Sequence, residues 1–529
     1  MHRTIWAVAA LAAALTGCTV GPKYTPPAKQ APPAYKEANA NIPPYTPNPN
    51  AATAGDPTLG GLGTWTVAQP QDAQLRGKWW EVYNDPELNS LEEQLNINNQ
   101  TIRQYFENFM AARALVREAH SQLFPTIAVG PSVSSSQSSR NLGSGVVAAG
   151  GSGGAAFSGG GGGKSPVTNF IDIPGLSASW EPDLWGRVRN TIHSQQYAAQ
   201  IGAADLENER LMEQAALATY FFQLRGQDAV QQILDATVAA DQKSLDINRA
   251  AYQAGTADQI SVIQAENTLE GAQSQATNLG IARAQYEHAI ATLIGKAASE
   301  FSVPVRAALV TPPSIPVGLP SQLLERRPDI AASERAMAQA NAQIGIAYAA
   351  YYPNISLSGA GGFESGTWKH LFDWASHFWS VGASASETVF DAGLRRATVQ
   401  QYIAAYNADL ASYRQTVLNG FQQVEDDLAA LRVLTDQIKV QRKAVESART
   451  ALDLEQKRYD TGIDPYIDVV TQQNTLLSAQ QVLAGIEIQR TVASVELIEA
   501  LGGGWDRSQL PTPEQVAEKP AKDQTTIQQ

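Results

Sequence analysis

Apolar and polar positions along this chain fall into two kinds of pattern. Two long intervals carry apolar residues at helical spacing, as at Leu211, Ala215, Ala218 and Phe222, and again at Leu452 and Tyr459. No proline occurs between Pro182 and Pro304, nor between Pro353 and Pro465, in a chain that holds 28 prolines. Proline breaks helices, whereas the Ala, Gln, Leu and Arg that dominate these intervals favour them. The pattern predicts helices over about 187–254, 258–294, 394–459 and 465–501. At 1.5 Å per residue the first and third would each be on the order of 100 Å long. Gly255 and Gly462 separate each long helix from its successor, at what reads as a hairpin tip.

Four shorter segments alternate with period two and predict strands over about 126–137, 168–182, 354–364 and 379–390. Ile127, Val129 and Val133 alternate with Ala128, Gly130 and Ser134; Leu176, Ala178 and Trp180 with Ser177 and Ser179. Ile355 and Leu357 alternate with Ser356 and Ser358; Val381, Ala383 and Ala385 with Gly382, Ser384 and Ser386. One apolar face and one small polar face suit the lipid and lumen sides of an outer-membrane barrel. A small soluble sheet would satisfy the same pattern. After the N-terminus no run of about 20 apolar residues is present for a transmembrane helix. Four strands cannot close a membrane barrel, for which about eight is the usual minimum, and open strand edges are not tolerated in lipid. If these strands span a membrane, several chains must share one barrel. Three would supply about twelve strands and twelve long helices.

The two patterns occur twice. Tyr252-Gln-Ala-Gly255 returns as Tyr459-Asp-Thr-Gly462, Gly186 as Gly393 and Gly295 as Gly502, all at an offset of 207 residues. Upstream, Phe124-Pro125 returns as Tyr352-Pro353 at an offset of 228. The difference of 21 is an insertion in the first copy, where the Gly-rich stretch from Asn141 to Lys164 lies. So long a period is a duplicated unit rather than a solenoid of short repeats. The chain divides into a signal peptide (1–17), a Pro-rich tether (18–75), a first repeat (76–318), a second repeat (319–502) and a polar tail (503–529), expected to be loosely ordered after Pro511. The fold class is mainly α with a membrane β-barrel contribution, built from a duplicated strand–strand–long helix–long helix unit.

The ends supply an address. His2-Arg3, an apolar run from Ile5 to Leu15 and then Leu15-Thr-Gly-Cys18 read as a bacterial signal peptide. Cys18 is the only cysteine, so no disulfide forms within the chain. Leu-x-Gly-Cys resembles a lipobox, which implies cleavage and acylation at Cys18; an ordinary signal peptide is the alternative. Thr19, in place of an aspartate, suggests sorting to the outer membrane.

Net charge is −13 at 529 residues, with 17% charged, which offers no basic face to nucleic acid. The six histidines show no metal-ligand spacing. Gly159–Gly163 before Lys164-Ser165 departs from a phosphate-binding loop, because Ser158 stands at its first glycine and Pro166 follows. Asp426-Asp427 reads as a solvated helix face. No catalytic constellation is found, and neither metal nor cofactor is expected apart from a lipid on Cys18. A lipid-anchored structural or adhesive coiled coil would account for the helices but leaves the strands unexplained.

Three stretches carry a resemblance: Cys18-Thr-Val-Gly-Pro-Lys-Tyr24, Trp79-Trp-Glu-Val-Tyr-Asn-Asp-Pro-Glu-Leu88 and Leu319-Pro-Ser-Gln-Leu-Leu-Glu-Arg-Arg-Pro-Asp-Ile330. With the repeat, they make the chain similar to the TolC-like outer-membrane factors, in particular the lipoprotein branch of tripartite efflux pumps. The resemblance implies a homotrimer with a 12-stranded barrel and a long periplasmic helical tunnel. It also implies a periplasmic adaptor and an inner-membrane transporter, commonly of the proton-driven RND class. The duct would pass small molecules such as drugs; protein or metal export by the same kind of duct is the other cargo reading. By this resemblance the gate lies at Tyr459–Thr471, with Ile467 constricting the pore and Asp468 in a carboxylate ring. Tyr459 would tie the closed tips together, and Tyr466 would pack the tip or pore. Thr471 replaces a frequent second aspartate, while Asp464 and Asn474 stand where arginines occur, which argues against the usual salt-bridged latch.

Overall fold

The computed structural model describes residues 19–27, 31–32, 34–37, 77–137, 168–307, 309–313, 315 and 320–518. The signal segment, Cys18 and the Gly-rich stretch Asn141–Lys164 lie outside these residues. Two compact units are distinguished. Unit 1 draws on Met1–Tyr24, Ala114–Gln195 and Gln339–Tyr406; unit 2 on Thr25–Arg113, Gln196–Ala338 and Asn407–Gln529.

The long helices repeat with matching bounds. In the first copy α1 (Pro86–Asn98) and α2 (Gln100–Ser121) lead through the strands to α3 (Arg187–Gln253) and α4 (Gln259–Leu293). In the second, α5 (Pro320–Arg326) and α6 (Pro328–Ala349) lead to α7 (Leu394–Asp460) and α8 (Tyr466–Ala500). α3 and α7 each hold 67 residues, and α4 and α8 each hold 35. The starts and ends of both pairs keep the 207-residue register. None of the described helices is long and apolar enough to cross a membrane.

Within unit 2 the end of each hairpin is closed in a corresponding way. The Asn99 amide, between α1 and α2, donates to the Leu293 carbonyl at 2.9 Å; the Arg327 guanidinium, between α5 and α6, donates to the Ala500 carbonyl at 3.0 Å. Both satisfy carbonyls left free at a helix C-terminus. The chain then turns at Gly295 and Gly502, with φ of +70° and +91°. A Cβ on either would collide with a carbonyl, of Asn98 at 2.5 Å or Arg326 at 2.1 Å, so only glycine fits.

The unit 2 core gathers Trp79, Trp80, Tyr83, Leu88 and Leu95 against Leu217, Phe221, Phe222, Ile290 and Ile498. Burying each such large side chain contributes about 1.5–3 kcal/mol. Trp79 Nε1 donates to Gln214 Oε1 at 3.2 Å, and Tyr83 Oη lies 2.8 Å from Ser494 Oγ, whereas the buried Trp80 Nε1 has no partner. Arg225 is buried beside this core. It pairs with Asp228 and Glu87 and donates to the Pro304 carbonyl at 2.6 Å.

In unit 1, β1 (Thr126–Val129), β2 (Ser132–Ser136), β3 (Thr168–Trp180), β4 (Asn354–Ser365) and β5 (His377–Ser386) form one antiparallel sheet. The order is β1-β3-β4-β5, with β2 also on β3. The single first strand expected over 126–137 is therefore two. The cause is an extra residue in β3 between Ile173 and Leu176, opposite the break at Gly130-Pro131. Pro131 has no N–H for the ladder, and the chain is held there by Gly130 N–H donating to Gly175 O at 3.0 Å. The bulge shifts the alternation from odd to even positions, so Ile171 and Ile173 share a face with Leu176, Ala178 and Trp180. Ile127, Val129, Leu176, Leu357 and Val381 on that face are exposed in the single chain. The other face carries serines; Ser356 Oγ and Ser384 Oγ are 2.8 Å apart.

Two expectations about the termini are corrected. The tail is not loose as far as Glu518: α9 (Pro513–Ala517) has a capping box between Thr512 and Gln515, and Val516 is fully buried. Arg113 donates to the Gln515, Val516 and Glu518 carbonyls. The Pro-rich segment is not a plain tether either. Tyr35 is buried with Leu323, Val424 and Leu497, and the Lys36 and Glu37 N–H groups donate to the Glu425 carboxylate at 2.7 and 2.9 Å.

Candidate functional site at the helix tips

The tips of α3–α4 and α7–α8 lie within unit 2 and are built on the same turn. Gly255 and Gly462 adopt φ of +77° and +75°. Gly255 N–H donates to Tyr252 O and Thr256 N–H to Ala251 O; Gly462 N–H donates to Tyr459 O and Ile463 N–H to Arg458 O. This is the glycine-terminated Schellman end of a helix.

The next residues differ between copies. Asp258 caps α4, accepting from Ser261 N–H at 2.9 Å, and that bond holds its carboxyl below the usual range. In α8 the corresponding position is Pro465, which offers no side-chain cap. Asp464 turns back onto Arg458 instead, with Nη2 to Oδ1 at 2.9 Å, and the guanidinium depresses its pKa. This ion pair closes the turn within its own hairpin and does not join the two hairpins.

The joint between hairpins is a hydrogen bond. Tyr459 Oη donates to Asn248 Oδ1 at 2.7 Å, and Asn248 donates in turn to the Ser244 carbonyl at 2.9 Å. Asn248 is 1% exposed. The Tyr459 and Tyr466 rings pack 5.3 Å apart, and Tyr466 shares a cluster with Leu245, Leu269, Val469 and Val470. Asp241, Ser244 and Asn248 recur on α3 at i, i+3 and i+7, which places them on one face. Nothing local in the sequence distinguishes these three from other polar helix residues.

Of the residues expected at a gate, the structure separates two sets. Tyr459 and Tyr466 face inward onto α3, with Tyr466 buried. Ile467, Asp468 and Thr471 are exposed, and Thr471 Oγ1 donates to the Ile467 carbonyl at 2.8 Å. The Asp426-Asp427 pair is only half a solvated face. Asp427 lines a cavity of about 550 Å³ with Arg327, Glu496 and Glu499, and its carboxyl is pushed up to about 7 by burial and by those acids.

Asp241 yields a pH prediction. It is 3% exposed, its Oδ2 has no hydrogen-bond partner, and burial pushes its carboxyl up to about 6. Tyr466 interacts with it across the joint and hydrogen-bonds Ser244, one turn along α3. A carboxyl whose folded pKa is raised weakens the packing as pH rises from its ordinary value toward 6, since charge then builds in a buried place. Asp241→Asn is therefore expected to slow hydrogen exchange at 241–248 and 459–470 at pH 7 and to have little effect at pH 4. Equal slowing at both pH values would remove the titration account.

These tips, the duplicated long hairpins and the one-sided sheet define a class. The chain belongs to the outer membrane efflux protein family, whose sequence model matches residues 91–296 and 319–503, one span in each repeat. It is an outer-membrane channel component of bacterial efflux. Among its relatives, the toluene efflux pump outer membrane protein TtgF of Pseudomonas putida is 30% identical over 501 residues, covering 94% of this chain and 96% of that one. The probable efflux pump outer membrane protein TtgC of the same species is 28% identical over 507 residues, covering 96% of each. The solved outer-membrane channel OprN superposes with a TM-score of 0.76 at 27% identity, covering 92% of this chain and all of that one.

Proposed function

We propose that three copies of this chain, each acylated at Cys18, form a passive exit duct gated at the tips of α7 and α8. The observation that carries this reading is the sheet: one face is apolar and exposed, and β1 and β5 leave it open at both ends of the strand order. In lipid such edges require partner strands, and three copies of the four strand lengths make a barrel of about twelve, within the range of outer-membrane barrels. α7 adds support. Val433, Val440 and Leu454 are exposed at multiples of seven residues, the seam spacing of packed helices.

The cargo is a small molecule handed over by an inner-membrane transporter, of the RND type, through a periplasmic adaptor. Relatives named for toluene and antibiotic efflux favour apolar compounds. Ile467 narrows the closed tip, and three Asp468 carboxylates ring the axis and select cations. In planar bilayers the purified oligomer is expected to conduct with cation preference, and Asp468→Asn to lower that preference several-fold. An assembled oligomer that never conducts would refute the duct. Unchanged selectivity in the variant would remove only the ring.

A further inference from the structure

Residues 19–22 lie along the surface of unit 1, with Val20 half-buried and Thr19, Gly21 and Pro22 exposed on their outer side. Val20 N–H donates to the Trp185 carbonyl at 3.2 Å. The Asn190 amide donates to Val20 O at 3.3 Å, and the Asn341 amide to Pro22 O at 3.0 Å. Three glycines permit the approach. A Cβ on Gly21, at φ +127°, would come within 2.7 Å of the Gly345 Cα. One on Gly345 would come within 2.6 Å of the Asn190 amide nitrogen, and one on Gly186, at φ +82°, within 2.6 Å of the Thr19 methyl.

This contact stands where strands meet helices. Trp185 lies between β3 and α3, donates from Nε1 to the Pro353 carbonyl at 2.8 Å, and stacks on Tyr352 at 4.8 Å, just before β4. The repeat shows that this is a fitted feature and not a consequence of the turn. Gly393 occupies the place of Gly186 in the second copy, yet a Cβ there would meet nothing within 4 Å. In the same registers Ala397 stands for Asn190, while Arg113 and Arg117 stand for Asn341 and Gly345. The donors and the clearance exist in one copy only.

We propose that Trp185, Gly186, Asn190, Asn341 and Gly345 form a binding groove for the segment next to Cys18, which sets where the lipid leaves the protein at the base of the membrane strands. This rests on the acylation of Cys18 proposed above. Thr19 is bonded to Cys18, so a groove that fixes Thr19 fixes the origin of the acyl chains relative to β3 and β4. A lipid on a slack segment would restrain the chain to the membrane surface without orienting the sheet. A lipid on a clasped segment does both.

The test uses the full-length protein isolated from outer membranes. Asn190→Ala with Asn341→Ala removes two donors and leaves the helices intact; Gly345→Leu fills the groove. Both are expected to speed hydrogen exchange at 19–24 by about tenfold or more, to retain the acyl mass on the N-terminal peptide, and to lower the yield of SDS-resistant oligomer several-fold. Exchange unchanged in both variants overturns the groove. Faster exchange with oligomer at the parental yield overturns its positioning role. A parent whose N-terminal peptide carries no acyl mass overturns the lipidation reading and the lipid-placing role with it, while the exchange data still decide whether the groove holds the segment.

Discussion

Tyr459→Phe is expected to leave the duct leaky. The substitution removes the hydroxyl that donates to Asn248 Oδ1 at 2.7 Å and strands an amide oxygen on a residue 1% exposed. Leaving a buried acceptor unsatisfied costs about 1–3 kcal/mol. If that cost falls on the closed packing of the tips, the open population rises by roughly five- to 150-fold, since about 1.4 kcal/mol is tenfold. Single-channel recording should show it as more frequent opening, and cells as faster entry of a large hydrophilic antibiotic. The double variant Tyr459→Phe with Asn248→Leu sharpens the test, because removing both partners of a buried hydrogen bond is far milder than removing one. It is expected to return most of the way to parental closure. A double variant as leaky as the single one would show that the hydrogen bond is not what holds the hairpins together.

Arg225→Ala is expected to cost about 3–5 kcal/mol of stability, the usual result of breaking a buried ion pair by removing one partner. The Arg225 side chain is 1% exposed, its guanidinium lies 5.0 Å from the Phe221 ring centre, and it serves Asp228, Glu87 and the Pro304 carbonyl at once. Asp228 keeps Arg283 at 2.8 Å and the Arg306 N–H at 2.9 Å, and Glu87 keeps only the Arg306 guanidinium at 3.9 Å, while the Pro304 carbonyl loses its donor. Arg225→Lys recovers only part, because an ammonium cannot reproduce the fork that reaches three acceptors. The urea midpoint of the detergent-solubilised protein measures both. A loss under about 1 kcal/mol for the alanine variant would mean that the network is dispensable.

The repeat made much of this legible beforehand. An offset of 207 read from three glycine matches also carries the ends of four helices, because glycine and the absence of proline act locally on the backbone. Equivalence in sequence does not carry environment, however. Arg432 stands one period after Arg225, yet it is about half exposed and pairs with Glu37 at 2.7 Å. Asp464 likewise follows Ala257 by one period and has become the partner of Arg458. Such differences depend on which segments arrive from far along the chain, and no local pattern encodes that.

By itself the sequence determined the duplicated hairpins, the four strand-bearing segments and the alternation that gives the sheet its apolar side, since propensity, period and chain-breaking residues are properties of neighbouring positions. Only the tertiary structure decided that Tyr459 meets Asn248, 211 residues away, that an extra residue in β3 splits the first strand, and that the segment after Cys18 is seated beside Trp185. Each of these rests on a contact between distant segments, where a few tenths of an ångström determine whether a glycine or a donor is required.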